Sequence, residues 1–168
     1  MRMLDVAAGA GDQTLDIQAR VGENGSVLAT DLSPAIHACA TANAVKSGHH
    51  NVETRVADGE DLGLDDCMFD AAVCQLSLML FPDPGKGLRE THRVLWPGGK
   101  AVAMVCAAPD RNLCVDILVS TAMKHAGLQA SAQECGRCSG SPLRLPLVKR
   151  SANAVAVAER QDIYSRVA

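Results

Sequence analysis

The chain has very few aromatic side chains: two phenylalanines, one tryptophan and one tyrosine in 168 residues. Stacking platforms for single-stranded nucleic acid are built from aromatics, so nucleic acid is not an expected partner. The core must rest instead on Val, Leu, Ile, Ala and Met. Excess charge of one sign is also lacking. Sixteen Lys and Arg stand against nineteen Asp and Glu, for a net charge of −3, and the two signs are interspersed. That leaves no electrostatic footprint for a polyanion or an anionic membrane. No run approaches the ~20 apolar residues of a membrane span. Cysteine is present, but not in a disulfide pattern. The seven cysteines are odd in number and irregularly spaced, which fits a reducing, cytoplasmic setting better than a disulfide framework. The one close pair, Cys135-Gly-Arg-Cys138, lacks the two further ligands that a zinc site needs, so no metal is expected.

What is there is a regular alternation. Hydrophobic residues at 48% and charged residues at 21% have the balance of a globular protein, and the length fits one domain. Strands are expected over 3–7, 26–30, 52–57, 69–76 and 100–106. Helices are expected over 12–21, 35–46, 85–95 and 112–126. Ser33 and Pro34 are a good cap and first helical residue. Repeated strand–helix units with short loops imply a mostly parallel sheet with helices on both faces, a Rossmann-like three-layer sandwich. Residues 130–146 read as loop. The small apolar run 154–158 reads equally as strand or helix.

The stretch Leu4-Asp5-Val6-Ala7-Ala8-Gly9-Ala10-Gly11 is the most informative. Glycines after a strand let a ligand approach the backbone, and the next helix offers its free N–H groups. A dinucleotide fold would place its third glycine where Thr14 stands. On its own a Gly-x-Gly is as readily a plain turn. Asp31 follows Gly11 by twenty residues, where a carboxylate can accept both hydroxyls of a ribose; its other reading is a helix-cap residue. Leu32 beside it can pack on a purine. Asp58 ends the third strand, either accepting from an exocyclic amine or serving the turn at Gly59. Three acids at successive strand ends, with no phosphate-binding Lys or Arg, suit a nucleoside that carries a positive substituent.

Four stretches together resemble the class I S-adenosylmethionine-dependent methyltransferases, in the type-11 group that includes the quinone C-methylases. They are Leu4–Gly11, Ala29–Ser33, Ala57–Leu62 and Arg93-Val94-Leu95-Trp96-Pro97-Gly98-Gly99-Lys100. The likeness covers about residues 3–110. It implies that Asp5 lies near the methionine amino group, that Ala7, Gly9, Ala10 and Gly11 pass under the cofactor, and that Asp31 holds the ribose. It further implies that Leu32 touches the adenine, that Asp58 and Gly59 read its edge, and that Gln75, Leu76 and Ser77 line the methionine side. The implied activity is methyl transfer from S-adenosyl-L-methionine to a small-molecule acceptor by in-line displacement. Pro97-Gly98-Gly99 is expected to be a structural turn into the fifth strand. The segment Leu78–Pro84 resembles one that lies near the substrate mouth in a subgroup; ordinary core packing explains it equally well.

The histidines lie in predicted helices or a loop, not at a strand end, and no catalytic base is nominated. Residues 1–130 are expected to form the cofactor-binding core and 131–168 an irregular or incomplete segment. The turn falls close to residue one, ahead of which the family carries a covering segment, so the chain reads as truncated there and aberrant after the helix at 112–126. A non-catalytic remnant of this fold is the main alternative. A nicotinamide-dependent oxidoreductase is a weaker one, opposed by Thr14, Asp58 and the Pro-Gly-Gly turn. A homo-oligomer is compatible with everything above.

Overall fold

The computed structural model describes residues 1–106, 112–127, 147–150 and 153–159. Its elements run β1 (Arg2–Val6), α1 (Asp12–Val21), β2 (Ser26–Asp31), α2 (Pro34–Lys46), β3 (Val52–Val56), β4 (Phe69–Gln75), a 3-10 turn at Leu78–Leu80, α3 (Pro84–Val94), β5 (Leu95–Cys106), α4 (Leu113–His125), β6 (Leu147–Arg150) and β7 (Asn153–Glu159). The strands form one sheet in the order β3-β2-β1-β4-β5-β7-β6. Pairings among β1 to β5 are all parallel. β7 runs antiparallel to both β5 and β6. This is the mostly parallel, Rossmann-like layout expected from the alternation.

Period-two alternation divides the core between the two faces of the sheet. Leu4 and Val6 of β1 join Phe69, Ala72, Cys74, Leu88, Val94, Leu95 and Ala101 in the larger cluster, under α3. Met3 points the other way and packs with Ile17 of α1 and Val27 of β2. The helix starts follow local chemistry. Ser33 Oγ accepts from Ile36 N at 3.4 Å ahead of Pro34. Asp83 Oδ1 accepts from Lys86 N at 3.0 Å ahead of Pro84 in the same way.

Two expectations change. Pro97-Gly98-Gly99 is not a turn ahead of the fifth strand but lies within β5, which begins at Leu95. Phe69 pairs with Leu95 and Ala71 with Lys100. Between those pairs β4 advances two residues and β5 five, and the surplus bulges out at the Pro-Gly-Gly. Residues 154–158, undecided between strand and helix, lie in β7, where seven residues from Asn153 to Glu159 pair with Cys106 back to Lys100. The Cys135–Cys138 pair lies outside the described residues. Among the described residues no group of His, Cys, Asp or Glu could hold a metal ion, and no helix is long and apolar enough to cross a membrane.

Candidate functional site

β1 is flanked by β2 on one side and β4 on the other, so the chain winds outward in both directions from it. The crevice at the C-terminal ends of such strands is where open α/β sheets take ligands. The end of β1 leads into a backbone of unusual shape. Ala7, Gly9 and Gly11 all have positive φ, at 55°, 60° and 88°. Gly11 caps α1 in the left-handed region, and a methyl added there would press on Ala40 of α2 at 3.3 Å. Around Gly9 the same test finds open space. Asn43 Nδ2 donates to Ala10 O at 3.0 Å and holds the exposed tip of the loop to α2.

Leu76 is the counterpart of Ala7 on β4. Its φ is 57°, and it comes directly after Gln75, the last residue of that strand. A left-handed non-glycine costs about 1–3 kcal/mol and survives where surrounding structure enforces it. Here Leu76 N donates to Met104 O at 2.7 Å. Ser77 Oγ donates across the crevice to Ala7 O at 3.3 Å. Two strained backbones thus face each other at adjacent strand ends, joined by one hydroxyl. Gln75 is exposed beside them.

The three acids occupy different environments. Asp5 is 1% exposed. Alternation sends it to the face covered by α1, where Thr14 Oγ1 donates to its Oδ2 at 2.7 Å. Burial drives its pKa up from 3.8 to about 6, and the Thr14 hydroxyl opposes the rise. Asp31, at the end of β2, is half-buried and ties two segments together. Its Oδ2 accepts from Gly9 N at 3.0 Å and its Oδ1 from Ser33 N at 2.9 Å. The cap and ligand readings of Asp31 are therefore not exclusive, since it shapes the glycine loop directly. Leu32 beside it is 69% exposed. Asp58 is exposed in the turn after β3, and its Oδ1 accepts from Glu60 N at 2.9 Å. Ala57 N donates to Asp31 O at 3.0 Å, which holds that turn beside β2.

The candidate residues therefore gather along one edge: Ala7, Gly9, Ala10 and Gly11 after β1, Asp31 and Leu32 after β2, Asp58 and Gly59 after β3, and Gln75, Leu76 and Ser77 after β4. Asp5 lies beneath rather than among them. Thr14 and Asn43 were not singled out as site residues. Thr14 stood in the sequence only as a missing glycine, although a hydroxyl nine residues beyond a strand acid is a readable signal. Asn43 gave none, because it meets the loop only once α2 packs. Cys74, a buried residue of β4, has its thiol pushed up to about 12 by burial, so it is not a thiolate nucleophile. His92 and His125 sit on α3 and α4, and His49 and His50 follow α2, as the sequence implied.

This arrangement fits S-adenosylmethionine on its own features. The glycine loop leaves open space at Gly9, a buried acid lies under the loop, and further carboxylates line the next two strand ends. The methyltransferase domain family model matches residues 4–103. The ubiquinone/menaquinone biosynthesis C-methyltransferase UbiE of Geobacter sp. strain M21 is 35% identical over 117 residues, covering 69% of this chain and 50% of that protein. The chain spans about half the length of the curated relatives it matches. Among solved structures, the cyclase SpnF is 31% identical over 64% of this chain and 39% of its own, with a TM-score of 0.60. A SAM-dependent methyltransferase from Aquifex aeolicus superposes over 95% of this chain and 81% of its own, with a TM-score of 0.70 and 22% identity. The last likeness is one of fold.

Proposed function

From the premise that this chain belongs to the methyltransferase domain family, the type-11 group of class I S-adenosylmethionine-dependent methyltransferases, we propose that it binds that cofactor at the β1–β4 edge and transfers a methyl group to a small-molecule acceptor. The observation that carries this reading is the Asp31 carboxylate bound to both Gly9 N and Ser33 N. It builds the glycine loop and the ribose-side acid as one unit. Gly9, Ala10 and Gly11 give backbone room under the ligand, and Asp31 accepts from the ribose hydroxyls. Leu32 packs on the adenine, and Asp58 and Gly59 read its edge. Asp5 faces the methionine amino group through the loop, while Ala7, Gln75, Leu76 and Ser77 wall the opposite side. When bound, the cofactor supplies an electrophilic methyl on a sulfonium.

The protein's own contribution is positioning, which can lower a barrier by about 7–11 kcal/mol. The strained Ala7 and Leu76 backbones, joined through Ser77, suit that task because they are held before any ligand arrives. The names of the curated relatives point to a quinone-type or other small aromatic acceptor. Exposed Leu80, in the segment leaving β4, offers an apolar surface at the same edge. A cytoplasmic location is part of the same proposal.

Thermal denaturation with S-adenosylhomocysteine tests it. Ligand at a hundred times its Kd adds about 2.7 kcal/mol of stability, a rise of roughly 5–11 °C for a chain of this size. Asp31→Ala should remove most of that rise. A rise with NAD and none with S-adenosylhomocysteine would sink the methyltransferase reading. No rise with either would favour a fold that has lost its cofactor.

A further inference from the structure

We infer that Phe81 and Glu60 are positioning residues that fasten the acceptor-side segment Ser77–Asp83 to the Asp58–Gly59 turn, so that cofactor binding sets the acceptor wall. This rests on the cofactor reading above, and goes beyond it by linking the two sides of the site.

The Phe81 ring is seated between two glycines from distant parts of the chain. A methyl added at Gly59 would overlap Phe81 Cζ and lie 2.6 Å from Cε2, and one added at Gly87 would lie 2.5 Å from Cδ2. Gly87 is buried inside α3, where glycine costs about 1 kcal/mol relative to alanine. The close approach of the ring explains its presence there. On the core side, Phe81 helps line an apolar cavity of about 20 Å³ with Cys74, Leu78 and Leu88. The ring therefore has unyielding backbone on two sides and a little free space on another. A shift of the turn is carried to the ring rather than absorbed.

A polar connection runs parallel to it. Asp58 Oδ1 accepts from Glu60 N at 2.9 Å. Glu60, 8% exposed, accepts from Asp83 N at 2.8 Å through Oε1. Asp83 Oδ1 in turn accepts from Lys86 N at 3.0 Å and caps α3. Farther along α3, Glu90 Oε2 accepts from Leu62 N at 3.2 Å. Asp83, Gly87 and Glu90 share one helix face by their i, i+4, i+7 spacing, and that face follows the loop at 58–62.

The other end of the segment is tied to the glycine loop by Ser77 Oγ and Ala7 O. One end is thus fixed to the backbone of the glycine loop and the other to the Glu60 carboxylate, directly after the Asp58–Gly59 turn. Between them lies Leu80, 75% exposed. The position of that apolar surface is tied to the turn assigned to the adenine, so a tightening of that turn by the cofactor is passed on to the acceptor wall.

Hydrogen exchange of the whole chain with and without S-adenosylhomocysteine tests this. In the wild type, the ligand should slow exchange at residues 58–62 and also at 78–86 by about fivefold or more, the lower end of common site-to-site coupling. Phe81→Leu and Glu60→Ala should keep the slowing at 58–62 and lose it at 78–86. Glu60→Gln should retain both, because its amide oxygen still accepts from Asp83 N. Slowing at 58–62 with none at 78–86 in the wild type overturns the coupling and leaves the cofactor reading standing. So does full transmission in both Phe81→Leu and Glu60→Ala. No slowing at 9–11, 31–33 or 58–62 overturns the cofactor reading and the coupling with it.

Discussion

Asp5→Asn should gain stability relative to wild type as pH rises from 4 to 7 in the ligand-free protein, although Asp5 lies directly beneath the candidate site. Asp5 is 1% exposed and its pKa is raised from 3.8 to about 6, chiefly by burial. Below pH 3.8 the group is protonated in both folded and unfolded chains and contributes nothing to pH dependence. Above 3.8 the unfolded chain gains by ionising, while the folded chain gains nothing until about pH 6. The unfolded state then holds fewer protons, so stability falls as pH rises through that window and levels off above it. The interval from 3.8 to about 6 corresponds to about 3 kcal/mol. Asn lacks this cost and can still accept from Thr14 Oγ1. Its own N–H groups, if left without acceptors, cost about 1–3 kcal/mol and do so at every pH. The quantity to measure is therefore the difference in urea unfolding free energy between Asp5→Asn and wild type, at pH 4 and again at pH 7. The difference should move in favour of Asp5→Asn by about 2.4 kcal/mol between the two, because part of the roughly 3 kcal/mol is already expressed at pH 4, within the usual twofold scatter of such terms. A difference that does not change with pH would refute the argument that burial of Asp5 is a cost to the folded chain. A cationic amino group nearby would repay that cost, so affinity for S-adenosylhomocysteine should rise through pH 6 in wild type and lose that rise in Asp5→Asn.

Thr14→Val removes the hydroxyl that donates to Asp5 Oδ2 at 2.7 Å and leaves a buried acceptor unpaired. Chemical denaturation at pH 7 should show a loss of about 1–3 kcal/mol, and the midpoint of the Asp5 pH dependence should move upward from about 6. Gly11→Ala forces a side chain into a φ of 88° and against Ala40 Cβ at 3.3 Å. A stability loss of about 1–3 kcal/mol is expected from the backbone alone, together with weaker S-adenosylhomocysteine binding by calorimetry. Unchanged stability would mean that the α1–α2 contact yields freely.

Much of the site is written in short-range pattern. Asp31 could be read because it stands one strand beyond the glycine turn, and strand length varies little. Ser33–Pro34 and Asp83–Pro84 cap their helices through neighbours three residues on, a distance over which chain geometry leaves few choices. What could not be read are contacts between remote segments. The burial of Asp5 depends on α1 folding back over β1. The seat of Phe81 needs Gly59 and Gly87 brought to one point. Each glycine alone looks like a turn or a helix weakness.

The alternation of elements, the Ser33–Pro34 helix start, the glycine turn and the row of acids at successive strand ends are all legible in the amino-acid order alone. These follow from hydrophobic period and local backbone chemistry, which act over a few residues. Tertiary structure decided the rest. The run 154–158 carries no period that separates helix from strand, and its strand form depends on seven pairings between Asn153–Glu159 and Lys100–Cys106, 47 to 59 residues back in the chain. Pro97-Gly98-Gly99 becomes a bulge within β5 because β4 pairs on both sides of it. The titration of Asp5 and the link from Asp58 through Glu60 to Asp83 likewise exist only once the sheet order sets their neighbours. Pairing, desolvation and close packing depend on which remote segments meet, and no local pattern carries that information.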